Sequence, residues 1–245
     1  MKLHILGCGD AFGSGGRNQS GYLIEAADRL FLLDCGSTTL LAMKRAGFDP
    51  RRLDAILLSH LHGDHFGGIP FFFIEYLYQK PRAYPLTIAG PPGTQERVRQ
   101  LHTLLYGSGG NLAAELPPVD FVVLGPEQRQ NVAGADVFAF RVPHQTHDVS
   151  LGIKVAYQSK QILFSGDSAW TDVFIEHADG VDLFLCECSF FNEQPGMHVN
   201  YRAVEANLGR LHCRKLVLTH LGEDMLARRN ELSATVAFDG MVIEV

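Results

Sequence analysis

The stretch Ser59-His60-Leu61-His62-Gly63-Asp64-His65 constrains this chain more than any other. It brings three imidazoles and a carboxylate together directly after the apolar run Ala55-Ile56-Leu57-Leu58. Led in by Asp54 and closed by polar residues, that run reads as a buried strand. Alternation along a strand sends His60 and His62 out on one side. Gly63 then turns the chain, so that Asp64 and His65 face a second point nearby. Four ligand-type groups therefore leave one rigid strand end. Imidazole with carboxylate suits zinc, iron or manganese better than calcium or magnesium. The alternative is a polar loop that merely contains histidines. The tight spacing, and matching ligands elsewhere in the chain, argue against it.

The same device recurs downstream. The apolar segment 161–164 runs into Ser165-Gly166-Asp167-Ser168, and Lys215-Leu216-Val217-Leu218 runs into Thr219-His220. A strand over 137–142 ends in Pro143-His144-Gln145-Thr146-His147-Asp148, which offers His144 and His147 as ligand candidates. Strand ends on one edge of packed sheets converge; helices with these spacings would not. The order of strands and helices reads as two similar halves within a single domain, 1–245. Around the ligand-bearing strands the spacing predicts a hairpin over 22–33 and helices over 37–46, 94–106 and 201–211. Ser37 is the expected N-cap of the first. Val98, Leu101, Leu104 and Leu105 form the expected apolar face of the second, with His102 a surface or packing residue. The segment Phe71-Phe72-Phe73-Ile74-Glu75-Tyr76-Leu77-Tyr78 reads as a buried helix, or as a dimer surface or substrate wall. The Gly- and Pro-rich loop 107–118 is the best candidate for mobility.

Composition sets bounds. A chain of 245 residues with 46% apolar and 20% charged residues reads as an ordinary globular protein. No apolar run approaches the length of a membrane span. Gly7, Gly9 and Asp10 interrupt any signal-like apolar core, so the expected location is the cytoplasm. The net charge of −6 argues against a general nucleic-acid binder, which normally carries a basic face. Five scattered cysteines are no disulfide framework. Cys186 and Cys188 fall on one face of an expected strand and read as buried thiols.

The pattern His60-x-His62-x-Asp64-His65 resembles the signature of the metallo-β-lactamase fold superfamily, and the neighbouring motifs are most similar to its ribonuclease Z branch. The opening Leu6-Gly7-Cys8-Gly9, then Arg17-Asn18 and Asp34-Cys35-Gly36, follows a recurring pattern of that branch. The resemblance implies a four-layer αββα sandwich with metals at one edge between the sheets. It implies His60, His62 and His144 for one metal, Asp64, His65 and His220 for the other, and Asp167 as the bridge. The implied cofactors are two divalent transition-metal ions, zinc first, with manganese or iron as alternatives. Arg17 either touches a substrate anion or is a turn residue.

A water held between two such ions has its pKa lowered from 15.7 toward about 7, so no serine or cysteine nucleophile is required. Asp167 stands where the β-lactamases carry cysteine, and His62 where the di-iron redox branch has a glutamate. The ribonuclease Z branch has a histidine matching His198 that helps protonate the leaving oxygen, and a glutamate matching Glu187 that orients it. Asp64, His198 and Glu187 are accordingly the expected catalytic residues. An alkoxide leaving group benefits from such an acid. The chain departs from the tRNA-trimming enzymes in two places. Only a short segment separates Asp167 from Glu187, without the long Gly/Pro-rich arm that grips tRNA. His220 is followed by Leu221-Gly222-Glu223-Asp224 rather than a small residue and an arginine. The expected function is therefore a dinuclear phosphodiesterase acting on small or short substrates. It is expected to make no stable complex with nucleic acid, to stay off membranes, and to have a homodimer as one oligomeric option. Hydrolysis of carboxylic or sulfuric esters (thioesterase, lactonase or arylsulfatase), or ribonuclease Z-type RNA 3′ processing, is the alternative.

Overall fold

The structure is a computed structural model and describes residues 1–79, 81–107, 115–194 and 196–245. Most of the loop 107–118, expected to be mobile, lies outside the described residues. Strands β1 (Lys2–Gly7), β2 (Gly21–Glu25), β3 (Leu30–Leu33), β4 (Ala55–Leu57), β5 (Leu86–Gly90) and β6 (Val119–Val123) build a first sheet. A second sheet comprises β7 (Gln128–Val132), β8 (Ala135–Arg141), β9 (Leu151–Tyr157), β10 (Lys160–Phe164), β11 (Leu183–Glu187), β12 (Leu216–Thr219) and β13 (Thr235–Val236). The last strand, β14 (Val242–Glu244), returns to the first sheet beside β1. The sheet orders are β14-β1-β2-β3-β4-β5-β6 and β13-β12-β11-β10-β9-β8-β7. Each sheet is antiparallel at one side and parallel at the other, with β3 to β6 and β10 to β13 parallel.

Strict alternation in the central strands explains the layers. Tyr22, Ile24, Phe31, Leu33, Ala55 and Leu57 face the second sheet in the larger core cluster. Their neighbours Leu23, Leu30, Leu32, Ile56 and Leu58 face outward into a second cluster. There they meet Met43 of α1 (Thr39–Arg45), Phe66 of α2 (Gly63–Phe66), Phe72 of α3 (Ile69–Ile74) and Val98 of α4 (Thr94–Tyr106). Helices α5 (Val173–Ala178), α6 (Tyr201–Asn207) and α7 (Glu223–Ala227) pack Phe174, Val204 and Met225 against the other sheet. A sheet buried on both faces needs near-continuous apolar strands, which is why these strands read as unbroken hydrophobic runs. The result is the αββα metallo-β-lactamase sandwich.

Several local readings need correction. Ser37 does not cap α1; the cap position is Thr38, without a side-chain bond, and the Ser37 hydroxyl donates instead to Gln19 Oε1 at 2.6 Å. On α4 the buried residues are Thr94, Val98 and His102, whereas Leu104 is 83% exposed and Leu105 48%. His102 packs edge-on against Phe73 at 5.3 Å between ring centres. The helix expected over 201–211 ends at Asn207 and tightens into a 3₁₀ turn, Leu208–Arg210. The helical segment around Phe71 starts at Ile69 and relaxes into a π-turn over Glu75–Gln79. Strands β7, β13 and β14 and helices α5 and α7 were not legible, because each is short and only partly apolar.

The parallel strands all end at one edge. There the two sheets are tied by Leu151 N donating to Ser59 O at 3.0 Å and Leu221 N donating to Cys8 O at 2.9 Å. The hydroxyls of Tyr22 and Thr219 also meet across the sheets at 2.9 Å. Clefts outside the carboxyl ends of parallel strands are the usual ligand positions of α/β sheets. Among the described residues no helix is long and apolar enough to cross a membrane.

Candidate metal centre

The histidine motif is held from behind by one carboxylate. Asp34, at the end of β3, is fully buried and takes a left-handed backbone, φ 55°. It accepts from Ser59 N at 2.8 Å, from Ser59 Oγ at 2.7 Å and from His65 Nδ1 at 2.7 Å. Cys35 N donates to His65 O at 2.6 Å, and Gly68 N to Cys35 O at 2.8 Å. The segment Asp34-Cys35-Gly36 thus braces both ends of the motif. Gly36 is needed for the close approach: a Cβ there would sit 2.5 Å from Asp64 O. Rather than a simple turn at Gly63, the chain forms the short helix α2, which carries Asp64 and His65.

Each buried imidazole is oriented through Nδ1. His60 Nδ1 lies 3.0 Å from Ser59 Oγ, His144 Nδ1 lies 3.0 Å from Met197 O, and His220 Nδ1 lies 2.9 Å from Ser189 Oγ. This leaves Nε2 of each ring facing inward. The ligand atoms of His60, His62 and His144 lie within 4.8 Å of one another, and so do those of Asp64, His65, Asp167 and His220. In the second group, His65 Nε2 lies 3.2 Å from Asp64 Oδ2 and 3.3 Å from Asp167 Oδ2; His220 Nε2 lies 3.4 and 3.3 Å from the same oxygens. A tetrahedral ion with bonds of about 2.0–2.1 Å spaces its ligand atoms about 3.3 Å apart. In the first group, His62 Nδ1 and His144 Nε2 are 3.2 Å apart. Asp167 Oδ2 is 3.9 Å from both His60 Nε2 and His144 Nε2, so one carboxylate adjoins both groups.

Three buried atoms at this point have no hydrogen-bond partner: His60 Nε2, His65 Nε2 and Asp167 Oδ1. Buried polar atoms in folded proteins are nearly always paired. The orphaned atoms are all metal-ligand types and all face the same centre, so the residues present fit divalent metal ions. The charge distribution agrees. Burial holds the pKa of His60 well below the imidazole range and also lowers His62 and His144, so all three are neutral electron-pair donors. At His65 and His220 burial acts in the same direction, but it is outweighed by Asp167 on both, by Asp34 on His65 and by Asp64 on His220, and both rise. Burial would raise Asp64 and Asp167; the neighbouring His220 and His65 hold both carboxyls below the usual range instead. The second group therefore draws positive charge toward itself, as a cation site does.

His198 stands beside this centre. Its ring stacks on His220 with 5.5 Å between centres and 10° between planes. Its Nδ1 lies 3.0 Å from Glu187 Oε1. Glu187 is fully buried at the end of β11 and also accepts from Ser168 N at 2.5 Å and Ser189 Oγ at 3.0 Å. Burial lowers His198, but the Glu187 bond and charge, with Asp167 behind them, raise it to about 9. Burial raises the Glu187 carboxyl in turn. The Glu187 carboxylate thus favours the protonated form of His198.

A cavity of about 350 Å³ opens over the centre, with His62, Asp64, Asp167, His198 and His220 in its floor. Arg17 is not among its lining residues. It lies under the glycine-rich loop, where a Cβ on Gly15 would meet its Nη1 at 2.9 Å. His147 is exposed and belongs to none of the ligand groups. No ring of the segment 71–78 lines the cavity among the described residues. Residues with a part in the site that sequence reasoning did not single out are Asp34, Ser59, Ser189 and the Met197 carbonyl, which orient the imidazoles, and Phe12 and Phe190, which line the cavity. Only Asp34 left a signal, as the acidic member of Asp34-Cys35-Gly36.

Comparison with known proteins agrees with this fold. The probable metallo-hydrolase YhfI of Bacillus subtilis (strain 168) is 26% identical over 249 residues, covering 99% of this chain and 96% of that protein. A ribonuclease Z of Exiguobacterium sp. is 25% identical, covering 98% and 94%. Among solved structures, YhfI superposes with a TM-score of 0.80 at 24% identity, covering 99% of each chain. The short form of human tRNase Z superposes with a TM-score of 0.79 at 24% identity, covering 100% and 99%. A diphosphatase of the PhnP family gives 0.80 at 17% identity, covering 100% and 97%. The family model described as anti-Pycsar protein Apyc1 matches residues 1–238. With the fold, the ligand groups and a match over nearly its whole length, the chain belongs to the Apyc1 family of metallo-β-lactamase-fold proteins.

Proposed function

We propose that this protein is a metal-dependent hydrolase that cleaves small phosphodiesters, using two divalent ions, zinc first among them. His60, His62 and His144 would hold one ion and Asp64, His65 and His220 the other, with Asp167 shared. Bound there, such ions supply Lewis acidity and bring the pKa of water from 15.7 toward about 7. The chain's own part is orientation and proton delivery. Asp34, Ser59, Ser189 and the Met197 carbonyl fix the imidazole rings. Glu187 holds His198 through Nδ1, which leaves Nε2–H as the free donor at the cavity floor. That proton goes to the leaving oxygen as the ester bond breaks. His198 Nδ1 lies 3.9 Å from Asp167 Oδ2, which supports a role beside the reacting phosphoryl group rather than at a distant binding position.

The His198–Glu187 pair is the observation that carries the phosphodiesterase reading, since a ribose or alkyl oxygen leaves poorly without an acid. The ribonuclease names among its relatives support the same bond type. The short Asp167–Glu187 segment, filled by α5, and the net charge of −6 support a small or short substrate over tRNA. Five free cysteines support a reducing, cytoplasmic setting. The test is His198→Ala assayed with two leaving groups. Diesters that release an alkyl or ribose oxygen should slow by about 10²–10⁴-fold, the usual range for a general acid. Nitrophenyl diesters should suffer far less, with metal content retained. Equal losses on both would remove the acid role and return carboxylic or sulfuric esters to the front.

A further inference from the structure

A groove of about 940 Å³ opens at the other edge of the first sheet, away from the metal centre. It sits at the amino ends of β3, β4 and β5, where Leu30, Asp54 and Thr87 line it. From Asp54 to His60 the chain spans at most about 20 Å, at about 3.3 Å per residue. None of the lining residues belongs to the ligand groups. The volume is at the upper end of the range for small-molecule sites, about 300–1,000 Å³. Nothing in the metal chemistry uses this groove.

Its carboxylates are all engaged, and two of its arginines are not. Asp54 accepts from Arg29 Nη1 at 3.0 Å and Leu30 N at 2.8 Å, Asp49 from Arg51 Nε at 2.9 Å, and Asp28 from the Tyr157 hydroxyl at 2.8 Å. Arg82, by contrast, is half-buried with no carboxylate beside it. Its Nε donates to Tyr84 O at 3.1 Å, and its Nη1 donates to Arg51 O at 2.8 Å and Pro50 O at 3.4 Å. Its guanidinium carbon stands 5.0 Å from the centre of the buried Tyr76 ring. Nη2 makes no hydrogen bond among the described residues. The Arg52 side chain follows the Arg51 carbonyl, is exposed, and has no hydrogen bond or ion pair among the described residues. A cation taken partly out of water is costly unless paired. Carbonyls and a ring offset part of that cost and leave the charge itself unmatched. A guanidinium fixed in this way is also set in advance to receive an oxyanion.

We propose that Arg82 and Arg52 form a second, non-catalytic site that takes the doubly charged phosphoryl group of a small organic phosphate, with its organic part against Tyr84. Tyr84 lines the groove, is 78% exposed, and holds Arg82 through its carbonyl. Two unmatched guanidinium groups suit two negative charges. A singly charged group would leave one of them unmatched. A long polyanion such as RNA would have to pass Asp28, Asp49 and Asp54 as well. The assignment stands whatever ester the metal centre cleaves.

The experiment is calorimetric titration of the metal-loaded protein with phenylphosphonate, an unreactive dianion above its second pKa. Hydrogen exchange in the same samples separates the groove from the metal centre: binding at the groove should slow amides in segments 50–54 and 82–87. Arg82→Gln should weaken that event by about 10–100-fold, the range of a hydrogen bond to a charged group. Arg52→Gln should weaken it by about 2–5-fold, the range of an exposed ion pair. The Arg52 side chain bonds to nothing else in the protein, so the unfolding temperature of that variant should not move and its loss is not one of folding. Methylphosphonate, which lacks the ring, should bind the groove about 3–10-fold more weakly, and Tyr84→Ala should remove that difference. Binding that slows no amide in the two segments, or that is unchanged in both arginine variants, would place the anion at the metal centre alone and overturn the site. Equal affinities for phenylphosphonate and methylphosphonate would overturn the organic part and leave free phosphate as the occupant.

Discussion

At the scale of single residues, the candidate metal site is shaped by groups outside its ligand sets. Asp34 accepts three bonds and fixes both Ser59 and the His65 ring. Removing the hydrogen-bond partner of a ligating histidine typically costs about 10–100-fold in metal affinity. Asp34→Asn should therefore weaken metal binding by that factor, read by chelator competition, while keeping the fold's circular dichroism. Asp167→Ala should do more. Its Oδ2 adjoins both ligand groups, so elemental analysis should find both occupancies reduced; two ions per chain in that variant would remove its bridging place. The His198–Glu187 pair sets a pH dependence of known sign. His198 is raised to about 9, so its acid form is present below that pH and is lost as pH rises through it. The kcat/KM for an alkyl-releasing diester should fall on the alkaline side, with a limb at or below about 9. His198→Ala should lack that limb.

At the scale of elements, four strands deliver ligand-type side chains by stopping at one edge. The turn after β10 is the tightest of these. Gly166 has φ 59°, and a Cβ there would lie 2.4 Å from Leu151 O and 2.9 Å from Ser59 Cβ. Gly16 also has positive φ, 73°, but open space around it. Gly166→Ala should therefore cost more than the roughly 1–2 kcal/mol of a left-handed alanine, and it should lower metal occupancy by displacing Asp167. Gly16→Ala should pay the backbone cost alone. Urea midpoints of the two variants, measured side by side, check this, and equal shifts would mean that the contact at Leu151 relaxes freely. His220 also takes a left-handed backbone, φ 54°, without being glycine. Such conformations persist when the surroundings over-determine them, and here Ser189 Oγ bonds both His220 Nδ1 and its carbonyl, at 2.9 and 3.0 Å.

At the scale of the whole molecule, the two sheets meet with the centre at one edge, and the chain carries a formal net charge of −6. Polyanion binding gains most of its strength from basic faces. Precursor tRNA should therefore be cleaved poorly beside a small phosphodiester at physiological salt, when both are given at equal phosphate concentration. Efficient, position-specific trimming of a precursor tRNA would overturn the small-substrate reading.

The sequence by itself determined the strands that end in ligand-type residues. His60, His62, Asp64 and His65 were legible because a short apolar run followed by polar residues is a local signal, and period-two alternation assigns sides without tertiary information. Asp167, His144 and His220 stand after similar apolar runs, but the family resemblance is what singled them out and implied the αββα layering. Glu187 and His198 were legible only through family resemblance, since nothing local says that a glutamate on β11 reaches a histidine eleven residues on. What the tertiary structure alone decided is the pairing. Asp34 reaches Ser59 and His65 from a different strand, Met197 O reaches His144 from a loop, and Ser189 reaches His220 across two parallel strands. It also decided that Leu104 faces solvent and that Arg17 folds beneath its own loop. Hydrogen bonds between distant segments depend on where sheets and loops meet in space, and no periodicity in one segment encodes the position of another.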